Sequence, residues 1–308
     1  LVVSLKFFQG CILLYQSYQG TPKRGKSVSA LYATQEAAAS AAKVAPSAAE
    51  RFFFDNNGYL VLEKFLNDDH VQRLQEALDR VIARRRALQQ QKIPHTGMTQ
   101  LKGERSTRIF YILDDDPLFL ELLDWPAMAP YIKGLLNPKA HHHASDAIVE
   151  VGSELFSRNM GWHLDGHDNG YRNLGRPIPL LQLKLGYYLT DMTEPGQGNL
   201  TLVPGSHKAL HDPDPADLKR PDLFPGAIQV CAPAGSAILF HNALWHSSGP
   251  FTKQDGQRTI LYYAYEHPWM LASQEHWGYS KAFYNALSPE RRAYFHGFVF
   301  DPPEQRWG

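Results

Sequence analysis

From Ala147 onward, short apolar runs alternate with turn residues. Segments 147–156, 160–165, 181–190, 199–203, 227–231, 236–241 and 258–266 are rich in aliphatic, β-branched and aromatic positions, with Gly, Pro, Asn and Asp between them. This punctuation predicts successive antiparallel strands in a sandwich or barrel. The earlier part of the chain has a helical period. Over 68–91, Val71, Leu74, Leu78, Val81 and Ile82 recur at helical spacing with Arg and Gln between them, behind Asn67 as the N-cap. That spacing predicts an amphipathic helix with one face packed on an apolar surface. Shorter helices are predicted at Leu118–Leu123 and at Pro130–Leu136, the second stopped by Asn137 and Pro138. Asn56, Asn57 and Gly58 mark a turn before a strand-like run at Tyr59–Leu62. Beyond Trp269, the stretch SPERRAYF reads as a helix and FDPPEQRW as an ordered tail.

The chain divides into an N-terminal extension over residues 1–50 and one domain over 51–308. Residues 1–35 carry Lys6, Lys23, Arg24 and Lys26 and no acid before Glu36, a bias shared by targeting segments and by disordered extensions. Both readings stay open, and with them a cytoplasmic or an organellar location. Gln35–Glu50 is Ala-rich and interrupted by Pro46, a weak helix or a linker. The apolar run at Cys11–Leu14 is too short to span a bilayer.

With 44% hydrophobic and 20% charged residues, the 308-residue chain has a globular composition that can bury a large core. Its 31 basic and 31 acidic side chains cancel, so no global charge draws it to nucleic acid or to an anionic membrane. Two cysteines provide neither a disulfide framework nor a thiolate metal site. A metal would have to use histidines and carboxylates.

The run GWHLDGHD over 161–168 has that chemistry. Residues two apart on an extended strand share a face, so His163 and Asp165 can grip one ion while Leu164 points away. His246 in LWHSSGP offers a third ligand, and two histidines with one carboxylate and open positions suit an iron(II) oxygenase. His167 would extend the set to a closed zinc or manganese site, but Gly166 and the Asp168–Gly170 turn residues place it on a loop beyond the strand. His241 lies at an odd offset from His246 and is expected in packing or at the surface. His141, His142 and His143 follow a helix stop and are expected in a solvated loop. Arg258 sits in a strand-like segment neither of whose faces is plainly polar. Trp245, Tyr262, Tyr263 and Tyr265 read as core residues, some of which would line a pocket.

GQGNLTLVPGSH at 196–207, AGSAILFHNALWHSSGP at 234–250 and QRTILYYAY at 257–265 occur in an order and spacing that resemble the phytanoyl-CoA dioxygenase family, over roughly Arg51–Glu266. The resemblance implies a mainly β fold with flanking helices, the double-stranded β-helix or cupin-like jelly roll. It implies an enzyme that holds Fe(II) through His163, Asp165 and His246, takes 2-oxoglutarate and O2, and oxidises a small molecule as 2-oxoglutarate is decarboxylated to succinate. Arg258 matches the residue that clamps the far carboxylate of 2-oxoglutarate, and Ser248 one that hydrogen-bonds it. Tyr187 and Arg108 fall where some members contact the co-substrate. His207 belongs to the structural PGSH signature, in a hydrogen-bonding role. Halogenases of this kind lack the carboxylate ligand, so Asp165 favours hydroxylation or a related oxidation. The loop HDNGYRNLGRP suits either recognition of a polar substrate or a purely structural role. Two other classes share the pattern: a cupin-like metal-dependent isomerase or hydrolase, and a catalytically silent jelly-roll binding protein.

Overall fold

In the computed structural model, the described residues are 45–92, 99–102, 106–151, 161–166, 171–219, 224–252, 256–270 and 279–295. The predicted tail at FDPPEQRW, the 1–35 segment and His167 lie outside them. The helices are α1 (Ala48–Asn57), α2 (Asp68–Gln90), α3 (Pro117–Glu121), α4 (Ala129–Leu135), α5 (Pro215–Leu218), α6 (Lys281–Ala286) and α7 (Pro289–Arg292). The strands are β1 (Tyr59–Leu62), β2 (Thr99–Lys102), β3 (Ser106–Phe110), β4 (His141–Val151), β5 (Gln182–Tyr188), β6 (Leu200–Leu202), β7 (Ile228–Gln229), β8 (Ala237–His241), β9 (His246–Ser248) and β10 (Gln257–Glu266). None of the helices among the described residues is long and apolar enough to cross a membrane.

Two antiparallel sheets face each other, one of seven strands in the order β1-β8-β5-β10-β4-β3-β2 and one of three in the order β7-β6-β9. This is the jelly roll that the resemblance implied, and it falls within the antiparallel sandwich or barrel that the strand punctuation predicted. The period of two sorts each strand of the large sheet. On β10, Leu261, Tyr263 and Tyr265 point to the helices, and on β5 Leu183, Leu185 and Tyr187 do the same. The α2 residues Val71, Leu74, Leu78 and Val81 pack on that outer face, as the helical spacing predicted. The inner face carries Tyr188, Ile238, Phe240 and Ile260, which meet Leu200 and Leu202 of the small sheet. Tyr188 also ties the sheets together, because its hydroxyl accepts from the Leu200 amide at 3.0 Å and donates to the Val230 carbonyl at 3.2 Å.

Three local departures from the sequence reading have physical causes. Helix α1 covers residues expected as linker or turn, because Ser47 and Glu50 form a capping box: the Glu50 amide donates to Ser47 Oγ and the Ser47 amide to the Glu50 carboxylate. Strands β2 and β3, TQLK and STRIF, escaped the apolar pattern because polar residues outnumber apolar ones in both. Of the expected strand 160–165, the described part is not a full strand: it is joined to β9 by an isolated bridge between His163 and His246 and turns at Asp165.

The expected solvated loop at His141–His143 is a correction: all three histidines are buried at the start of β4. A β-bulge between Ala264 and Tyr265 lets three consecutive residues stay inside. Glu266 explains the tolerance for polar groups there, since its carboxylate oxygens lie 2.7 Å from His141 Nε2 and 2.7 Å from His143 Nδ1. Burial would raise the Glu266 carboxyl, but hydrogen bonds from the two imidazoles hold it down at about 2. His142 packs among Tyr265, Tyr279 and Phe295, and burial, with His143 and His141 beside it, lowers its pKa to about 3.

Gly235, at φ +83°, turns the chain into β8; a Cβ there would lie 2.3 Å from the Leu66 carbonyl oxygen. Gly235→Ala is expected to cost at least about 2 kcal/mol, read as a lower urea midpoint at unchanged slope; an unchanged midpoint would show that the turn relaxes freely. His142 gives a pH signature. The unfolded chain takes up its proton near 6.5 while the native chain resists until about 3, so the stability is whole above 6.5 and is lost as pH falls through that window. Its share is up to about 1.4 kcal/mol per pH unit. His142→Leu should flatten the fall in urea midpoint between about pH 6.5 and pH 4, and an unaltered slope would rule out a neutral buried imidazole.

Candidate active site

The segment at 161–166, which turns at Asp165, and the strand β9 bring the candidate ligands together. The amides and carbonyls of His163 and His246 bond reciprocally at 3.1 Å, and the Asp165 amide donates to the Asn242 carbonyl at 2.9 Å. His163 and Asp165 therefore project to one side, as their spacing predicted. His246 Nε2 lies 3.5 Å from Asp165 Oδ2, His163 Nε2 lies 4.0 Å from Asp165 Oδ1, and the three candidate ligand atoms all fall within 4.8 Å of one another. His246 is buried, whereas the His163 side chain is 54% exposed, so the group opens to solvent on the His163 side.

Both imidazoles are oriented from behind. His163 Nδ1 sits 2.8 Å from the Gly161 carbonyl and His246 Nδ1 sits 2.8 Å from the Leu244 carbonyl. A carbonyl only accepts, so each Nδ1 carries the proton and each Nε2 turns its lone pair inward. Burial, assisted by His163, lowers the His246 pKa to about 4 against the pull of Asp165, which keeps that ring neutral at pH 7. Burial acts to raise the Asp165 carboxyl, but the Lys184 ammonium and the two imidazoles outweigh it and hold the group well below the usual carboxylate range. Two imidazole nitrogens and one anionic oxygen converging at an open cavity fit a divalent cation.

The cavity beside them, of about 140 Å³, is also lined by Arg258, Ser248 and Arg108. Arg258 is buried and points inward from β10. Its Nη1 donates to Glu150 at 2.9 Å, directly opposite on β4, and its Nη2 to the Tyr262 hydroxyl at 3.3 Å. Its Nε is buried with no hydrogen-bond partner among the described residues. A buried donor without a partner is costly and fits an anionic ligand at that end of the cavity. Gly198 gives this side chain its room, since a Cβ there would lie 2.9 Å from Arg258 Cδ. Arg108 reaches the cavity from β3 with its Nε 2.9 Å from Asp146 and its guanidinium 4.5 Å above the Phe110 ring.

Tyr187 is the exception among the expected site residues. It lies on the outer face of β5, packed on Phe65 and Tyr263 in the helix-side core, because odd positions of this strand point away from the cavity. The inner position that does line the cavity is Lys184, whose Nζ is 3.6 Å from Asp165 Oδ1. It is the one charged residue in the run LLQLKLGYYL, and that isolation was its sequence signal. Tyr262 and Tyr263 both border the cavity, and Tyr263 and Tyr265 belong to the helix-side core. Glu150 had no sequence signal, because its role depends on the register between β4 and β10. His241 is packed against the His207 ring at 4.8 Å, and His207 Nε2 meets the Asp55 carbonyl at 3.1 Å, the structural roles expected of both.

Fold and site together define a jelly-roll protein with a candidate centre of two histidines and one carboxylate. The chain belongs to the phytanoyl-CoA dioxygenase (PhyH) family, whose sequence model matches residues 54–259. Ectoine dioxygenase of Sphingopyxis alaskensis is 28% identical over 162 residues, 53% of this chain and 50% of that protein. Dioxygenase af480 of Aspergillus fumigatus is 28% identical over 169 residues, 54% of this chain and 50% of that protein. The matches thus span about half the length of these curated relatives. Among solved structures, EctD from S. alaskensis superposes with a TM-score of 0.57 at 26% identity, over 72% of this chain and 77% of that one. HygX from Streptomyces hygroscopicus, solved with nickel, 2-oxoglutarate and hygromycin B, shares the fold with a TM-score of 0.57 at 19% identity, over 74% and 90%.

Proposed function

We propose that this chain is an Fe(II)- and 2-oxoglutarate-dependent oxygenase that hydroxylates or otherwise oxidises a small-molecule substrate, with decarboxylation of 2-oxoglutarate to succinate. The observation that carries the reading is one cavity with two distinct ends. His163, Asp165 and His246 converge at one, and the buried Arg258 with its unsatisfied Nε sits at the other. Membership of the family supports the same assignment, and EctD of S. alaskensis has been solved with iron and with 2-oxoglutarate and 5-hydroxyectoine.

In this reading, His163, Asp165 and His246 hold the iron, which when bound supplies the activation of dioxygen and the oxidising power. The protein's residues do the rest. The Gly161 and Leu244 carbonyls lock both imidazoles in the ligating tautomer. Asp165, kept ionised by its cationic neighbour, contributes the negative charge. Three ligands on one side leave the opposite side open to the co-substrate and to oxygen. Arg258 clamps the far carboxylate of 2-oxoglutarate, its guanidinium fixed by Glu150 and Tyr262, and Ser248 at the end of β9 adds a hydroxyl. Leu200 and Phe240 form apolar wall that limits water beside the reacting groups. The cavity size and the ligands bound in the solved relatives, 5-hydroxyectoine and hygromycin B, support a small molecule as the oxidised substrate.

Anaerobically purified protein given iron(II), 2-oxoglutarate and oxygen should form succinate, and Asp165→Ala should form none. Protein that binds a divalent metal but never 2-oxoglutarate would move the assignment to a metal-dependent isomerase or hydrolase. Arg258→Lys keeps the charge but loses the planar fork. It should raise the apparent Kd for 2-oxoglutarate by roughly tenfold or more while leaving metal affinity in place; an unchanged Kd would remove Arg258 from the co-substrate site.

A further inference from the structure

Three cationic side chains line the cavity, and two of them have a carboxylate of their own. Arg108 is paired with Asp146 and Arg258 with Glu150. The third, Lys184, stands apart. Its ammonium makes no hydrogen bond to the described residues, and its nearest carboxylate is Asp165 at 3.6 Å, beyond hydrogen-bonding reach. Asp165 is also the carboxylate assigned to the metal. Once an ion takes it, the ammonium faces a centre of two positive charges offset by a single negative one, and requires another anion beside it.

The sheet fixes where that anion must sit. Lys184 pairs across β5 and β10 with Ala264 and across β5 and β8 with Phe240, and Ala144 faces Ala264 from β4. The two alanines leave the space in front of the ammonium open. Arg258 lies six positions earlier on β10, so the two cations mark opposite ends of the cavity, with the candidate ligands at the Lys184 end. Both cations line the same cavity, as a ligand with a carboxylate at each end requires. Counting the ion, its carboxylate, the doubly charged co-substrate and the three cations with their two partner acids, the charges cancel only when Lys184 is included.

We propose that Lys184 binds the carboxylate next to the keto group of 2-oxoglutarate, making a two-cation clamp with Arg258 at the far end. Lys184 acts as a co-substrate-binding residue set on a rigid central strand. The inference rests on the reading under Proposed function and adds a residue and a ligand atom to it.

The test is binding, free of turnover. Affinities are measured anaerobically by calorimetry, first for Mn(II) and then, in Mn(II)-saturated protein, for 2-oxoglutarate and for 2-oxopentanoate, which keeps the keto acid and lacks the far carboxylate. Lys184→Met should weaken both keto acids by a similar factor of about ten or more, the loss of one charge-assisted hydrogen bond, with Mn(II) affinity not weakened. Lys184→Arg should recover most of that loss. Weaker Mn(II) binding with unchanged keto-acid affinity at saturating metal would make Lys184 a support for Asp165 and overturn the inference. So would a loss confined to 2-oxoglutarate, or no loss for either ligand. If the wild-type protein binds neither Mn(II) nor 2-oxoglutarate, the underlying functional reading fails and the inference falls with it.

Discussion

Strand β10 is paired along its length with β4 on one side and from Ile260 onward with β5 on the other, and both of its faces are buried from Arg258. Nearly everything else follows from this constraint. A strand paired on both edges cannot shift its register without turning every side chain to the wrong face. On β10 such a shift would drive Arg258 and Glu266 into the helix-side core and bring Tyr263 and Tyr265 inward. Polar residues on one face and aromatics on the other therefore fix the register. The two tyrosines reinforce it, since their hydroxyls donate to the Phe119 and Leu123 carbonyls at 2.7 Å and anchor the helical layer to the sheet.

That rigidity is shared unequally across the site. Arg258, Lys184 and Glu150 stand on central strands of the large sheet. His163 and Asp165 stand on a segment held by reciprocal bonds to His246 and one bond to Asn242. The Arg258 end is thus built into the large sheet, and at the other end Lys184 stands on the large sheet while the candidate ligands are held by the shorter sheet and its bridges. Electrostatics compensates at the ligand end. An ionised Asp165 attracts the ammonium beside it, and backbone carbonyls set the imidazole tautomers without depending on strand pairing.

Much of this was legible in the sequence. The strands from β4 to β10 announce themselves because turn residues punctuate them, and α2 because five apolar positions keep helical phase. His163, Asp165, His246, Ser248 and Arg258 all reach one cavity, as a two-residue spacing and the family resemblance implied. What stayed hidden depends on partners distant in sequence. Glu150 matters because register sets it opposite Arg258, and His141–His143 are buried because Glu266 and a bulge receive them. Tyr187 shows the limit of counting through a resemblance: one position of parity separates the helix-side core from the cavity. The same parity, applied from Lys184 along β5, places Tyr187 outside.

The central claim is that His163, Asp165 and His246 share one metal ion. The most direct measurement is anomalous diffraction at the iron edge from crystals loaded anaerobically with iron(II). A single strong peak between His163 Nε2, His246 Nε2 and the Asp165 carboxylate is the predicted result. A peak elsewhere, for instance on the buried His141–Glu266–His143 group, or none at this position in iron-saturated crystals, would contradict the account.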